Sequence, residues 1–150
     1  MVEKYLHKKG EYSLTDLLQD LKRSPDICKA GAIALFIGVV RGFSSNGSKV
    51  KGLVMEAYEE AANRILGEIR RDLMSREGIV DVQIHHLLGE FNVGEDLVYV
   101  AVAGGHRDQV FPVLREAVER YKREATIFKK EIIIDSLGKE KSYWVSEKNP

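Results

Sequence analysis

Three short polar clusters interrupt an otherwise apolar pattern, and each carries residue types suited to an anion. The stretch ERYKREATIFKKE, residues 119–131, places Lys122 seven positions before Lys129, with Lys130 and Glu131 following. Ammonium groups hold phosphates and carboxylates and stabilise developing oxyanions. On one continuous helix the two lysines would share a face about 10 Å apart. The β-branched and aromatic residues at Thr126–Phe128 predict instead that the helix stops first, so the lysines lie on different elements and can converge on one pocket. The ordinary alternative is a solvated helix face and an edge strand protected by charge.

GGHR, residues 104–107, is the second cluster. Two glycines allow a backbone to approach a ligand closely, a helix start offers unpaired N–H groups to an anion, and an arginine adds a bidentate donor. Against this stands a solvated first-turn Arg107 with His106 as an N-terminal cap. The third cluster is Arg41, at the end of VVR, before a glycine-bearing loop; its alternative is an arginine reaching from a strand end to water. His85 and His86 are adjacent, so on a strand they face opposite ways and do not chelate one metal together. No CxxC, HExxH, P-loop, GxGxxG or GxSxG spacing occurs, and no metal or cofactor is expected.

The elements that must position these clusters can be read from periodicity. SLTDLLQDLKR predicts a short amphipathic helix capped by Ser13 and ended by SPD at 24–26. GAIALFIGVVR, 31–41, reads as a buried strand, GFSSNGSK as a loop with an Asn46–Gly47 turn, and VKGLVMEAY, 50–58, as a second strand in a hairpin with the first. Ala62, Ile65, Leu66, Ile69 and Leu73 form a helical stripe within 59–77, stopped by Gly78. Strands over 80–91 and 97–105 follow, separated by NVGED. A helix over 107–124, with Pro112 in its first turns, precedes a strand over 127–136 and a last short one at SYWV. The order predicts an α+β fold: a mixed, mostly antiparallel sheet packed with helices.

The chain has 150 residues, suited to a single domain over 1–150. Its 23 basic and 23 acidic residues cancel, which argues against a bulk nucleic-acid or membrane-surface binder but leaves room for a local basic pocket. One cysteine, Cys28, allows no internal disulfide and fits a reducing compartment. No apolar run approaches the roughly 20 residues of a membrane span, and the N-terminal MVEKYLHKKG lacks a signal-peptide apolar core, so a cytoplasmic protein is expected.

Taken in register, the clusters resemble the large, catalytic subunit of molybdopterin synthase, the MoaE family. GAIALFIGVVRGFSSNGSKVKGLVMEAYEEAA is similar to the family's GA-x(3)-F-x-G-x-VR, its loop and its E-x-Y segment. HHLLGEFNVGEDLVYVAVAGGHRDQVF is similar to H-x-x-G-x-x-x-x-GE, an apolar strand and HR, and YKREATIFKKE to its two lysines. The match runs from about Ala30 to Val145. Thr126 and Phe128 stand where the family usually has Pro and Trp, and Leu87 where it often has arginine.

The resemblance implies an α/β-hammerhead fold and a reaction that installs two sulfurs on precursor Z, a cyclic pyranopterin monophosphate, to form the molybdopterin dithiolene. Sulfur would come from a thiocarboxylate on the C-terminal Gly-Gly of a small ubiquitin-like partner of MoaD type. The implied assembly is a heterotetramer around a homodimer of large subunits, in which the HR pair can serve the neighbouring protomer's site. The implied substrate-binding residues are Val39, Val40, Arg41, His106, Arg107, Lys122, Lys129, Lys130 and Glu131. Lys122 and Lys129 would be catalytic: Lys122 stabilising developing charge, Lys129 positioning tail and substrate or moving protons. Two other readings of the same residues are a module that binds a Gly-Gly tail without chemistry, and a phosphate-binding enzyme acting on an unrelated pterin or nucleotide.

Overall fold

In the computed structural model, which describes residues 3–145, the elements run β1 (Leu6–Lys8), α1 (Leu14–Lys22), a 3₁₀ turn at Ile27–Lys29, β2 (Ala32–Val39), β3 (Lys49–Ala57) and α2 (Glu59–Met74). They continue with β4 (Ile79–Asn92), β5 (Asp96–Gly104), α3 (Arg107–Glu124), β6 (Ile127–Ile134) and β7 (Glu140–Val145). Seven strands form one sheet in the order β2-β5-β4-β3-β6-β7, with β1 added beside β4. Only β1 runs parallel to its partner; the other pairings are antiparallel. This is the mixed, mostly antiparallel α+β architecture that the element order predicts.

β4 joins the two halves of the sheet. Its first part, Ile79–His86, pairs with β5, and its last part, Gly89–Asn92, pairs with β3. The change of partner falls at Gly89, whose φ of +127° few side chains tolerate. All three helices pack against the β2-β5-β4 half. β5 is buried at eight of nine positions, because it lies between two strands and beneath α3. Leu17, Leu21, Leu66, Leu73, Val82, Ile84, Val100 and Val102 are fully buried at the centre of the core.

The expected hairpin between the strands on either side of the 42–49 loop does not form. β2 pairs with β5, and β3 lies between β4 and β6. β2 is apolar nearly throughout and pairs with the equally apolar β5. The loop turns on itself: Ser44 N–H donates to Ser48 O at 2.8 Å, and Gly47 N–H to Ser44 O at 3.0 Å. The Asn46–Gly47 signal is therefore a turn inside a loop, not the apex of a hairpin.

The N-terminal segment is attached by polar contacts that periodicity does not announce. Ser13 caps α1 in a reciprocal box with Asp16. His86 N–H donates to Tyr5 O at 2.9 Å and so docks β1 on β4. His7 Nε2 lies 2.9 Å from His85 Nδ1, and Tyr12 stacks on both rings, with centroids 4.4 and 4.1 Å away. His85 Nε2 reaches Gln83 Oε1 at 2.7 Å, Gln83 Nε2 donates to Asp81 at 3.1 Å, and Arg70 donates to Asp81 at 3.0 Å. Ser24 Oγ also donates to Asp81.

Candidate active site

α3 ends where its apolar stripe ends. Val110, Val113, Ala117 and Tyr121 are buried, and Ala125, in extended conformation, closes the helix by donating from its N–H to Tyr121 O at 3.1 Å. Tyr58 N–H then donates to Thr126 O at 3.2 Å and guides the chain into β6. Lys122 and Lys129 flank this reversal. In β6, Lys129 pairs with Met55 and Glu131 with Leu53, both buried, so Lys129 and Glu131 share the inner face with them.

The resulting pocket has a volume of about 420 Å³, and Arg41, Lys122, Lys129 and Glu131 all line it. They come from the end of β2, the end of α3 and the middle of β6. Apolar surface from β3 and β5, including Leu53, Met55 and Val98, makes up the rest of the wall. Among the described residues, three cations and one carboxylate line the pocket, a balance that favours an anionic ligand. Tyr143 O–H donates to Glu131 at 2.8 Å, and this bond holds the phenol above its ordinary range.

The VVR stretch divides by strand alternation. Val39 and Arg41 face the pocket. Val40 is only 2 % exposed, its main chain bonded to Glu95 O and to Gly94 N–H in the β4–β5 turn, so it fixes its neighbours rather than lining the pocket. Lys130 alternates to the opposite face of β6, where its ammonium lies 5.4 Å from the centroid of the Trp144 ring.

His106 and Arg107 are exposed at the start of α3. Fifteen residues of helix separate Arg107 from Lys122, about 22 Å along the axis, so within one chain the HR pair and the lysines do not meet. His106 holds the cap position but makes no side-chain cap bond. Gly104 is required by packing rather than by a ligand: a Cβ there would lie 2.8 Å from Gly78 O and from Val110 Cγ2.

Two pocket residues escape a reading based on clusters of charge. His86 is 4 % exposed and Tyr121 6 %, and both line the pocket, their rings in edge-to-face contact at 5.9 Å. The signal for His86 was present in the alternation of β4, which turns it away from His85, and in H-x-x-G, whose histidine it is, but it stands apart in sequence from the three charged clusters. Among the described residues no group of three or more His, Cys, Asp or Glu is placed to hold a metal ion, and no helix is long and apolar enough to cross a membrane. Two larger hollows, of about 720 and 640 Å³, flank the N-terminal segment. They share Arg70, which is already paired with Asp81 and Glu3.

Residues 8–124 match the family described as MoaE protein. A probable molybdopterin synthase of Haloferax volcanii is 34% identical over 137 residues; the match covers 91% of this chain, which spans about half, 51%, of that relative's length. The molybdopterin synthase catalytic subunit of Pyrococcus abyssi is 36% identical over 102 residues, 68% of each chain. The crystal structure of a molybdopterin synthase from Staphylococcus aureus superposes with a TM-score of 0.78 at 25% identity, covering 97% of this chain and 98% of that one. With the family match spanning residues 8–124 and these relatives at 34–36% identity, the chain belongs to the MoaE family.

Proposed function

We propose that this chain is the catalytic subunit of a molybdopterin synthase, a sulfurtransferase that moves two sulfurs onto precursor Z from the thiocarboxylated C-terminal Gly-Gly of a small ubiquitin-like subunit. The observation that carries this reading is the convergence of Arg41, Lys122, Lys129 and Glu131 on one pocket. Substrate phosphate and thiocarboxylate are both anions, and fixed cations with an apolar wall suit a narrow tail entering beside a phosphorylated ring. Lys122 stabilises the charge that develops as sulfur moves, Lys129 positions tail and substrate, and Glu131, held by Tyr143, orients the lysines.

His106 and Arg107 complete the phosphate site of a neighbouring protomer. Their place at the far end of α3 from Lys122 supports an assembly in which one chain's pocket is finished by another's helix start, at the centre of a heterotetramer. The cytoplasm, where the partner's thiocarboxylate would stay reduced, is the compartment this chemistry suits. Lys122→Ala in a turnover assay with thiocarboxylated partner and precursor Z tests the assignment: product formation falls by about 10²-fold or more. Near-normal turnover would remove Lys122 from its role. Tight binding of the partner by wild-type protein without any conversion would favour a tail-binding module instead.

A further inference from the structure

The sheet ends on two outer strands that are finished differently. β7 carries Glu140 and Lys141 at its start, charges of the kind with which an edge strand discourages further pairing. β2 reads AIALFIGV, eight residues without a charge or a proline, and its register shift comes only at the end, between Gly38 and Val39. It pairs with β5 on one side, and among the described residues no strand pairs with its other side. Leu35 and Val39 are exposed along it. A long, bare, apolar edge is a template for another strand.

α3 extends the same surface. α2 packs on β4 and α3 packs on β5 and β2, so α3 lies between α2 and the β2 edge. One flank of α3 faces α2, where Arg120 pairs with Asp72 and Glu116 with Arg76. The opposite flank, at helical spacing, carries Arg107, Phe111, Leu114, Val118 and Lys122, and it is turned toward the edge. Phe111 is 60 % exposed there, and Leu114 and Val118 are half-buried.

β2 and α3 run in the same direction. Ala32 pairs with Gly104 at one end, where α3 begins with Arg107; at the other end Phe36, Val39, Arg41 and Lys122 line the pocket. The eight residues of β2 span about 23 Å, close to the roughly 22 Å between Arg107 and Lys122. A second copy set antiparallel across a two-fold axis reverses that separation. Its Ala32 end, with Arg107, comes beside this chain's Val39 end, with Arg41 and Lys122, and the same happens at the other pocket.

We propose that the outer edge of β2 and the Phe111 flank of α3 are the two-fold surface on which a second copy of this chain docks, strand beside antiparallel strand, so that each pocket receives Arg107 from its neighbour. The role of Arg107 in this assembly rests on the sulfurtransferase reading; the docking surface does not. A copy of the same strand is the partner that fits: β2 gains the ladder bonds its edge lacks, Leu35 and Phe111 leave water, and the strand holds no charge to be buried.

Sedimentation of wild-type protein gives a dimer at micromolar concentration. Phe111→Glu and Leu35→Glu each put two like charges into a two-fold interface, one from each copy, and each weakens dimerisation by about 10²-fold or more. Both residues are exposed in the single chain, so the variants fold. With thiocarboxylated partner and precursor Z, their turnover per chain falls and recovers as chain concentration is raised, which a misfolded variant does not do. Leu137→Glu, exposed in the β6–β7 turn, changes neither measurement. Arg107→Ala chains mixed with Lys122→Ala chains recover about a quarter of wild-type turnover, because half of the dimers are mixed and each holds one complete pocket.

A wild-type monomer overturns the proposal. So does a folded dimer that survives either glutamate, or a mixture of the two alanine variants that stays inactive. If wild-type protein makes no dithiolene at all, the sulfurtransferase reading fails and sedimentation still decides the interface; if it does and the dimer withstands the added charges, only the interface fails.

Discussion

His85 and His86 are consecutive, on one strand, and both are buried, yet they occupy opposite worlds. His85 belongs to a closed relay. Asp81 only accepts, so the Gln83 amide nitrogen faces it and the Gln83 oxygen faces His85. His85 Nε2 then carries the proton, and Nδ1 accepts from His7. Each partner in the relay is supplied by the protein, and the result is attachment of β1 and α1 to the sheet. His86 turns to a pocket rimmed by cations. What separates the pair is the direction they face: His85 into the relay that fastens the N-terminal segment, His86 into the pocket lined by Arg41, Lys122 and Lys129.

The two faces of β4 should accordingly fail in different ways. The largest effect is expected on the relay side. Asp81→Ala leaves Arg70 without its buried partner and should cost about 3–5 kcal/mol of stability, while the protein that remains folded keeps its turnover number. Urea unfolding beside an active-site-normalised assay checks both halves. Lys122→Ala should do the reverse. Its expected loss of about 10²-fold or more in turnover, roughly 2.7 kcal/mol or more in activation free energy, should come with a stability change within about 0.5 kcal/mol.

Acid should separate the faces next. Burial pushes the His85 imidazole down to about 3 from its ordinary 6.5, and burial lowers His7 as well. Between those values the unfolded chain binds a proton that folded His85 refuses. Its contribution is therefore whole above pH 6.5 and is lost as pH falls toward 3, at up to about 1.4 kcal/mol per pH unit. Unfolding free energies from pH 7.5 to 4.5 should show this slope, and His85→Gln should flatten it. The smallest effect is expected from Tyr143→Phe, which removes one exposed hydrogen bond to Glu131. Stability should change by about 0.5–1.5 kcal/mol, with a several-fold rise in KM if Glu131 orients the lysines.

Much of the pocket was legible because its residues obey local rules. The change from α3 to β6 is written in Thr126–Phe128, and strand alternation places Lys129 with Glu131; Lys130, expected among the substrate-binding residues, lies on the opposite face over Trp144. The relay was not legible. β1 is three residues long, its histidine resembles any other in a charged N-terminal stretch, and its partners lie 78 positions away at His85. The pairing of β2 with β5 was hidden for a related reason. Turn chemistry speaks for neighbours in sequence, whereas the demand of an apolar strand for cover on both faces is met by whichever strand the whole sheet supplies. The separation of GGHR from the lysines follows only from the length of α3.

The central claim is that sulfur is transferred in the pocket of Arg41, Lys122 and Lys129. Purified protein mixed with a thiocarboxylated Gly-Gly partner and precursor Z tests it most directly, with the pterin product analysed for its dithiolene. The account predicts dithiolene formation and return of the partner's tail as a carboxylate, both lost with Lys122→Ala. Partner and precursor recovered unchanged from wild-type protein would contradict it.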